Sequence, residues 1–281
     1  MLARAKVNLY LHVVGRRTDG YHLLDSLIVF AETGDTVAVE AGERLELAIE
    51  GPFAAKLAGD DDNLVLKAAR GLREIATVGA GASITLTKNL PVASGIGGGS
   101  ADAAATLRAL MQLWNIAPER EALARLALNL GADVPVCLEG KPSFVGGIGE
   151  EIAPAGRLPS AHLLLVNPGV ATPTPAVFKA RNAGFSQPGR WAAPPKDVRA
   201  LAAALKERGN DLTDAAITVT PVIRAVLSAI GETQDCLLAR LSGSGATCFG
   251  LYATVAAAEA ARRTVLAAHP QWWAAATRVA E

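Results

Sequence analysis

The chain has 281 residues, of which 51% are hydrophobic and 19% are charged, a composition typical of a globular protein with room for two subdomains. Its 27 basic and 27 acidic residues give a formal net charge of zero, which excludes a strongly basic field that would attract nucleic acid or anionic lipid. Any anion that the protein binds must therefore be held by a local arrangement of groups.

The first predicted element is a strand over residues 6–14, where apolar and polar side chains alternate. Its polar face, which includes Lys6 and Asn8, is available for a functional site. A polar loop is predicted over 15–20, because this segment is rich in turn-forming residues. The next elements are predicted as strands over 23–30, 35–40 and 45–50, a helix over 62–75 and a strand over 83–87.

Helices dominate the predictions for the middle of the chain. Apolar residues between Ala103 and Trp114 recur at intervals of three and four, which predicts a helix. Pro118 suits the first position of the next helix, and Gly131 suits its end. The later strands are predicted over 163–166 and 247–252. The later helices are predicted over 198–208 and 255–268, with a further helix that is interrupted near Pro221. Thr254 is the predicted N-cap of the helix over 255–268.

Strands and helices mix without strict βαβ alternation, which predicts an α+β fold and not a doubly wound sheet. The run Gly146-Gly147-Ile148-Gly149 is typical of a domain boundary. The sequence therefore predicts an N-terminal domain over 1–150 and a C-terminal domain over 151–281.

The three cysteines, Cys137, Cys236 and Cys248, are odd in number and far apart, so neither a disulfide framework nor a zinc site is indicated. The first residues lead directly into a strand pattern, without the apolar segment of a signal peptide. No apolar run approaches the roughly 20 residues of a membrane-spanning helix. We expect a cytoplasmic protein with reduced thiols, a monomer or weak homodimer, with no nucleic-acid or membrane partner.

The most distinctive motif is a glycine-rich segment between the strand over 83–87 and the helix that follows. Because glycine has no Cβ, backbone N–H groups can approach an anion, and the start of a helix adds free N–H groups and partial positive charge. The P-loop and dinucleotide-binding patterns are both absent. A flexible turn without ligand is the alternative, but four glycines in five positions favour a phosphate cradle. The predicted cradle consists of Pro91, Val92, Ala93, Ser94, Gly95, Ile96, Gly97, Gly98, Gly99, Ser100 and Ala101.

A second segment of small residues, Leu241–Thr247, precedes a predicted strand. It could close over a ligand or brace the glycine-rich segment. A simple tight turn is an equally good interpretation of the sequence alone.

These segments, in this order, resemble the GHMP kinase superfamily over nearly the whole chain. The glycine-rich segment and Gly131-Ala132-Asp133-Val134-Pro135 carry this resemblance. Gly15-Arg16-Arg17-Thr18-Asp19-Gly20-Tyr21-His22 is similar to the branch that phosphorylates a cytidine-diphosphate ester of methylerythritol in the non-mevalonate isoprenoid pathway. Ser94 stands where the family usually has Gly or Ala, and Ala101 replaces a usual Ser.

The resemblance implies a two-domain α+β kinase with its active-site cleft between the domains and with ATP and Mg²⁺ as the phosphoryl donor. It implies that Asp133 takes the proton of the acceptor hydroxyl and that Lys6 pairs with Asp133. From the residues alone, Asp133 could equally well cap a turn. Lys6 could be an ordinary solvated lysine.

The resemblance also implies a cytidine site. Tyr21 would stack on one face of the cytosine, Phe178 would form the opposite face of that sandwich, and His22 would read the edge of the base. Core packing is the alternative for Tyr21 and Phe178. Mg²⁺ would be held mainly by phosphates and water, near Ser100, with no protein ligand assigned. A mevalonate or homoserine kinase and a non-catalytic nucleotide-binding protein are the rival functions. The implied substrate-binding residues are Asn8, Tyr21, His22, Thr174 and Phe178.

Overall fold

The structure is a computed structural model that describes residues 1–57 and 63–280, and it mixes helices with two groups of strands. The chain forms two compact units. Unit 1 comprises Met1–Ala5, Gly34–Val92 and Gly97–Gly140, and unit 2 comprises Lys6–Thr33, Ala93–Ile96 and the chain from Lys141 onwards. These units do not coincide with the predicted domains 1–150 and 151–281, and that domain division stays a prediction.

Unit 1 contains a small sheet covered by helices. Strand β4 (Gly81–Thr87) pairs antiparallel with the second part of β2 (His22–Gly42) and parallel with β3 (Leu45–Glu50). The side chain of Asn63 caps the first helix by accepting a hydrogen bond from the N–H of Val65. The helices are α1 (Leu64–Ile75), α2 (Gly98–Leu113), α3 (Arg120–Leu130) and α4 (Val134–Glu139).

Helix α2 is the centre of unit 1. It is buried without interruption from Ala101 to Leu107, and most of these side chains are alanine. Short side chains let α1, α3 and α4 pack closely around it. The first turn of α2, which follows the glycine-rich segment, is thereby fixed by the core of the unit.

Unit 2 contains β1 (Leu2–Arg16) from Lys6 onwards and the first part of β2, which pairs antiparallel with β5 (Ser143–Gly147). A second, antiparallel sheet packs against helices through a core that includes Val166, Ile223 and Val265. Its strands lie in the order β10 (Trp273–Arg278), β7 (His162–Asn167), β9 (Cys248–Tyr252), β8 (Leu238–Leu241). The remaining elements are β6 (Glu151–Pro154), α5 (Thr174–Ala180), α6 (Val198–Lys206), α7 (Thr213–Val219), α8 (Val222–Gly231) and α9 (Val255–Ala268).

Several predicted elements are confirmed and several need correction. Strand 45–50 and helix 255–268 have the predicted bounds, and Thr254 caps α9 by accepting from the N–H of Ala257. The strands predicted over 23–30 and 35–40 are one strand, β2. Pro118 is not at the first helical position, because α3 begins after Glu119, whereas Gly131 ends α3 as predicted.

Two predicted loops also differ. Strand β1 runs to Arg16, and the turn after it is closed by a 2.7 Å hydrogen bond from Arg17 N to Tyr21 O. The segment 146–149, predicted as a boundary, belongs to the hairpin of β5 and β6, within unit 2. Asp62, where a helix was expected to start, lies outside the described residues. Among the helices described for this chain, none has the length and apolar character needed to cross a membrane.

Candidate active site

The polar face of β1 is buried in unit 2. Lys6 is 5% exposed and Asn8 is 4% exposed, so the interpretation of Lys6 as a solvated lysine is wrong. Lys6 Nζ donates to Asn8 Oδ1 at 3.0 Å, and Asn8 Nδ2 donates to Ser26 Oγ at 2.8 Å. The backbone N–H of Lys6 donates to Ile96 O at 2.9 Å. Lys6 therefore lies directly beside the glycine-rich segment.

The second segment of small residues, Leu241–Thr247, which we call the second loop, braces the glycine-rich segment. Ser242 Oγ contacts Gly95 O at 3.2 Å, and Thr247 N donates to Ser94 O at 3.0 Å. The N–H of Asn8 donates to Ser242 Oγ at 3.2 Å, which ties the same loop to β1. The bracing role is thus confirmed, and the glycine-rich segment owes part of its shape to this loop.

Replacing Gly95 by Ala should disturb this bracing. A Cβ on Gly95 would lie 2.5 Å from Gly245 O and 2.8 Å from Ser242 O, and the φ of +76° is one that Ala adopts poorly. We expect a cost of about 1–3 kcal/mol, a Tm lower by several degrees, and weaker nucleotide binding. Thermal unfolding and calorimetric titration with nucleotide measure both effects.

Gly79→Ala is the matched control, because a Cβ there has no neighbour within 4 Å and its φ is not in the left-handed region. It should leave the Tm and the nucleotide affinity nearly unchanged. If Gly95→Ala behaved like this control, the bracing would have no energetic importance.

The end of the glycine-rich segment lies in unit 1, where it starts α2. The N-cap Gly97 has φ 63° and ψ 25°, and no side chain caps the helix. The N–H groups of the first turn are therefore not satisfied by a capping side chain, an arrangement that suits an anion. A Cβ placed on Gly131 would lie 3.9 Å from Ser100 Oγ, so the end of α3 approaches this turn.

Asp133 follows Gly131 and occupies the N-cap position of α4, a helix that the sequence did not predict. Its side chain makes no capping hydrogen bond there. The Asp133 carboxylate therefore does not cap α4. Its catalytic role stays a prediction.

A cluster that the sequence did not reveal lies behind the start of α2 in unit 1. Lys88 Nζ contacts both Asp35 and Asp102, the latter at 2.7 Å. Asp35 Oδ1 also accepts from the N–H groups of Asn89 at 2.6 Å and Leu90 at 2.8 Å. All three ionisable side chains are at most 3% exposed. We call Lys88, Asp35 and Asp102 the buried triad.

The pKa values of the triad reflect burial first and mutual contacts second. Burial raises the pKa of Asp102 to about 7; Lys88 acts to lower it, and Asp35 raises it. For Lys88, burial acts to lower the pKa, but the carboxylates Asp102 and Asp35 outweigh it and the pKa is raised. The single sequence signal for this cluster is one charged residue within the run Ala101–Leu107.

The predicted cytidine-site residues all belong to unit 2. The His22 ring stacks on Phe178 with centroids 5.0 Å apart and planes at 22°. Tyr21 is 62% exposed, so core packing is the wrong interpretation for it, whereas Phe178 is half-buried against the core of unit 2. Thr174 Oγ1 and Ser244 Oγ are hydrogen-bonded at 2.7 Å, which connects Thr174 to the second loop. Burial lowers the pKa of His22, and the nearby cations Arg16 and Arg181 lower it further, so the ring is neutral near pH 7.

Each unit therefore brings some of the predicted residues together. Unit 2 assembles Lys6, Asn8, the residues 93–96 and Thr174 around the second loop, and it separately pairs His22 with Phe178. Unit 1 holds Ser100 near the end of α3, which leads to Asp133. In the described parts of the chain, no group of three or more His, Cys, Asp or Glu side chains is placed to hold a metal ion.

Comparison with protein families gives two matches. Residues 63–141 match the family described as GHMP kinases N terminal domain, and residues 190–271 match GHMP kinases C terminal. Among curated proteins, the 4-diphosphocytidyl-2-C-methyl-D-erythritol kinase of Paramagnetospirillum magneticum is 59% identical over 273 residues, covering 97% of this chain and 95% of the relative. The protein of the same name from Rhodospirillum rubrum is 53% identical over 277 residues, covering 99% and 91%.

Solved structures give a consistent result. A crystal structure of 4-(cytidine 5'-diphospho)-2C-methyl-D-erythritol kinase superposes with a TM-score of 0.81 at 32% identity, covering 100% of this chain and 99% of the other. The mevalonate kinase of L. major in complex with R-mevalonate gives a TM-score of 0.74 at 17% identity, covering 99% and 95%, and shares the fold alone. The predicted α+β fold of the GHMP kinases is confirmed.

Proposed function

The chain belongs to the GHMP kinases and, within them, to the 4-diphosphocytidyl-2-C-methyl-D-erythritol kinases, and from that premise we propose that it phosphorylates the 2-hydroxyl of 4-diphosphocytidyl-2-C-methyl-D-erythritol with ATP. The products are the 2-phosphate and ADP, and the reaction serves isoprenoid biosynthesis by the non-mevalonate pathway. The observation that carries the substrate is the 59% identity over 97% of the chain to a kinase of that name.

The glycine-rich segment supplies the phosphate site. The uncapped start of α2 offers backbone N–H groups and partial positive charge to the phosphates of ATP. The second loop, through Ser242 and Thr247, holds residues 94 and 95 in place. A protein without net positive charge thus binds a polyanion through oriented backbone groups.

The chemical step requires a proton acceptor and stabilisation of charge on the transferred phosphoryl group. We assign the first role to Asp133, which would orient the 2-hydroxyl and accept its proton. We assign the second to Lys6, whose ammonium is oriented by Asn8 Oδ1.

Mg²⁺ fits the oxygen donors of this region. Hydroxyl and carboxylate oxygens are its preferred protein ligands, and Ser100 on the first turn of α2 lies close to the segment that leads to Asp133. Bound together with ATP, Mg²⁺ would neutralise charge on the phosphates. Ser100 is the side chain we propose to lie nearest the ion.

The cytidine end of the substrate is assigned to unit 2. The neutral His22 ring can hydrogen-bond the edge of a cytosine, and the exposed Tyr21 ring offers a stacking face. Phe178 and Thr174 complete the proposed site. We also place the enzyme in the cytoplasm, as a monomer or a weak homodimer that acts on small molecules.

The test of this function is a coupled assay of ADP release with four acceptors: the cytidylyl substrate, mevalonate, homoserine and galactose. We expect turnover with the cytidylyl substrate and negligible turnover with the other three. Turnover of mevalonate or homoserine without turnover of the cytidylyl substrate would refute the assignment. Nucleotide binding without any turnover would favour a non-catalytic nucleotide-binding protein.

Phe178→Ala should raise the KM for the cytidylyl substrate by roughly ten- to a hundredfold, because an aromatic stacking face is worth about 1–3 kcal/mol per base. The KM for ATP should change little, since Phe178 lies in α5 and not in the glycine-rich segment. Initial rates with either substrate varied separately measure both constants. The control is Phe185→Ala, because Phe185 is 56% exposed and has no role in the proposal. Equal increases of both KM values with a lowered Tm would indicate that Phe178 only packs the core.

A further inference from the structure

Asn210 is a buried polar side chain that none of the roles described so far uses. Its Nδ2 donates to Leu241 O at 2.9 Å and to Gly243 O at 2.8 Å, and its Oδ1 accepts from the N–H of Leu212 at 2.9 Å. A reversed amide would place Oδ1 against two carbonyl oxygens, so these partners allow one orientation only. The two carbonyl groups lie on either side of Ser242 in the chain. Asn210 therefore clamps the start of the second loop.

Hydrogen bonds to β1 fix the position of Asn210 itself. The N–H of Leu11 donates to Gly209 O at 3.0 Å, and the N–H of Asp211 donates to Leu11 O at 2.9 Å. Residues 209–211 thus run parallel to β1, with Asn210 opposite Leu11. Because β1 also carries Lys6, the amide of Asn210 has a fixed place relative to the strand that holds a proposed catalytic residue.

The part of the second loop that Asn210 clamps is the part that contacts the glycine-rich segment. Ser242 Oγ donates to Gly95 O at 3.2 Å and accepts from the N–H of Asn8 at 3.2 Å. A Cβ placed on Gly243 would lie 3.0 Å from Gly95 O, so the two backbones are in close contact there. A shift of the clamped residues would therefore be felt directly at Gly95.

These contacts form a closed ring within unit 2. β1 holds Asn210, Asn210 holds the second loop, and the second loop holds Gly95. The ring closes where the N–H of Lys6 donates to Ile96 O at 2.9 Å. Gly95 has a φ of +76°, so its backbone conformation depends on such restraints.

We propose that Asn210 is a positioning residue for phosphate binding, which acts through Ser242 and Gly95 to hold the backbone of the glycine-rich segment in its anion-binding conformation. The inference rests on the proposed function, because the nucleotide is the ligand that brings the phosphates. Backbone donors that are already in place bind an anion more tightly than donors that must first be ordered. Loss of the clamp is therefore measured as a loss of nucleotide affinity.

Asn210 also supports the fold, and the test must separate this role from positioning. Its Oδ1 bonds the N–H of Leu212, the N-cap residue of α7, and its backbone O accepts from Thr213 Oγ1 at 2.8 Å. Asn210→Asp keeps the shape of the side chain and an oxygen for Leu212, so the support of α7 is retained. It replaces the NH₂ group by an oxygen that faces the carbonyls of Leu241 and Gly243, so the clamp becomes a repulsion.

The experiment is calorimetric titration of the folded protein with Mg²⁺-nucleotide, together with initial rates. We expect Asn210→Asp to lower the nucleotide affinity by about ten- to thirtyfold and to raise the KM for ATP to a similar extent. The KM for the cytidylyl substrate should rise less than about threefold, and kcat should fall less than the KM for ATP rises. Asn210→Ala removes the donors without adding a repelling oxygen, so it should weaken nucleotide binding in the same direction but to a smaller extent.

Ser242→Ala tests whether Asn210 acts through Ser242. It removes the hydroxyl that joins Asn8 to Gly95 and should itself weaken nucleotide binding. Residues that act through one brace give non-additive losses, so adding Asn210→Asp to Ser242→Ala should cost little more than the larger single loss.

Thr233→Val is the matched control, because Thr233 Oγ1 is also buried in unit 2 and makes two hydrogen bonds of 2.7 Å, to Ile230 O and Tyr252 Oη. Tyr252 is at the other end of β9 from the second loop. The variant should have a lower Tm but the nucleotide affinity of the wild-type protein.

Wild-type nucleotide affinity in both Asn210 variants, or fully additive losses with Ser242→Ala, would overturn the inference alone. An equal loss of affinity in Thr233→Val would do the same, because any destabilised variant would then bind nucleotide poorly. If neither Asn210 variant folded, the role of Asn210 would be to support the fold as a whole and not to position the glycine-rich segment. Failure of the folded wild-type protein to bind nucleotide would overturn the proposed function as well.

Discussion

Asp133→Asn is expected to lower kcat by about 10²–10⁴-fold while nucleotide still binds. The substitution keeps the size and shape of the side chain but removes its charge and its ability to accept a proton. Because Asn occupies the same volume as Asp, we expect the Tm to change little. The measurements are kcat in the ADP-release assay, nucleotide affinity by calorimetry, and thermal unfolding.

Asp197→Asn is the matched control for this substitution. Asp197 also sits at an N-cap, but its carboxylate accepts from the N–H of Ala200 at 2.8 Å and so stabilises α6. It should lower the Tm slightly and leave kcat unchanged, the opposite of Asp133→Asn. Near-wild-type turnover by Asp133→Asn would rule out general-base catalysis by this residue and leave substrate positioning as the source of rate.

Lys6→Met is expected to lower kcat by roughly 10²–10³-fold, because it removes a fixed cation from the site where charge develops in the transition state. Met retains most of the buried stem of Lys6, so packing along β1 is preserved. Because β1 reaches the glycine-rich segment through the backbone of Lys6, nucleotide binding should survive the substitution. The same kinetic and calorimetric measurements separate the two effects.

The double variant tests whether Lys6 and Asp133 act on one step. Residues that act as a unit give non-additive losses, so the double variant should be little slower than the slower single variant. Lys179→Met, an exposed cation in the last turn of α5, is the control and should not affect kcat. Fully additive losses would show that Lys6 and Asp133 act independently.

The sequence was sufficient to predict those parts of the site that consist of contiguous residues. The glycine-rich segment, the end of α3 at Gly131 and the polar face of β1 were all predicted, because glycine chemistry and strand alternation are local properties. The polar face was expected to be open, however, and the structure buries Lys6 and Asn8. Burial depends on Ser26 and on the second loop, which are distant in the chain.

Features made by distant residues could not be predicted. Lys88 is separated by 53 residues from Asp35 and by 14 from Asp102, and no local pattern joins them. Strand β2 was predicted as two strands because polar residues interrupt its middle. It continues because its first part pairs with β5 and its second part with β4, and each pairing keeps the backbone extended.

The hydrogen bonds between the second loop and the glycine-rich segment have a consequence for biosynthesis. Ser242 Oγ and Gly95 O are separated by 147 residues, so a chain still on the ribosome contains the whole glycine-rich segment long before its brace has been made. Until the second loop has been made, the nascent chain contains the glycine-rich segment without the hydrogen bonds that brace it. Cellular ATP can therefore begin to stabilise the braced phosphate site only after the second loop has been made, and the growing chain must rely on its own core or on chaperones until then.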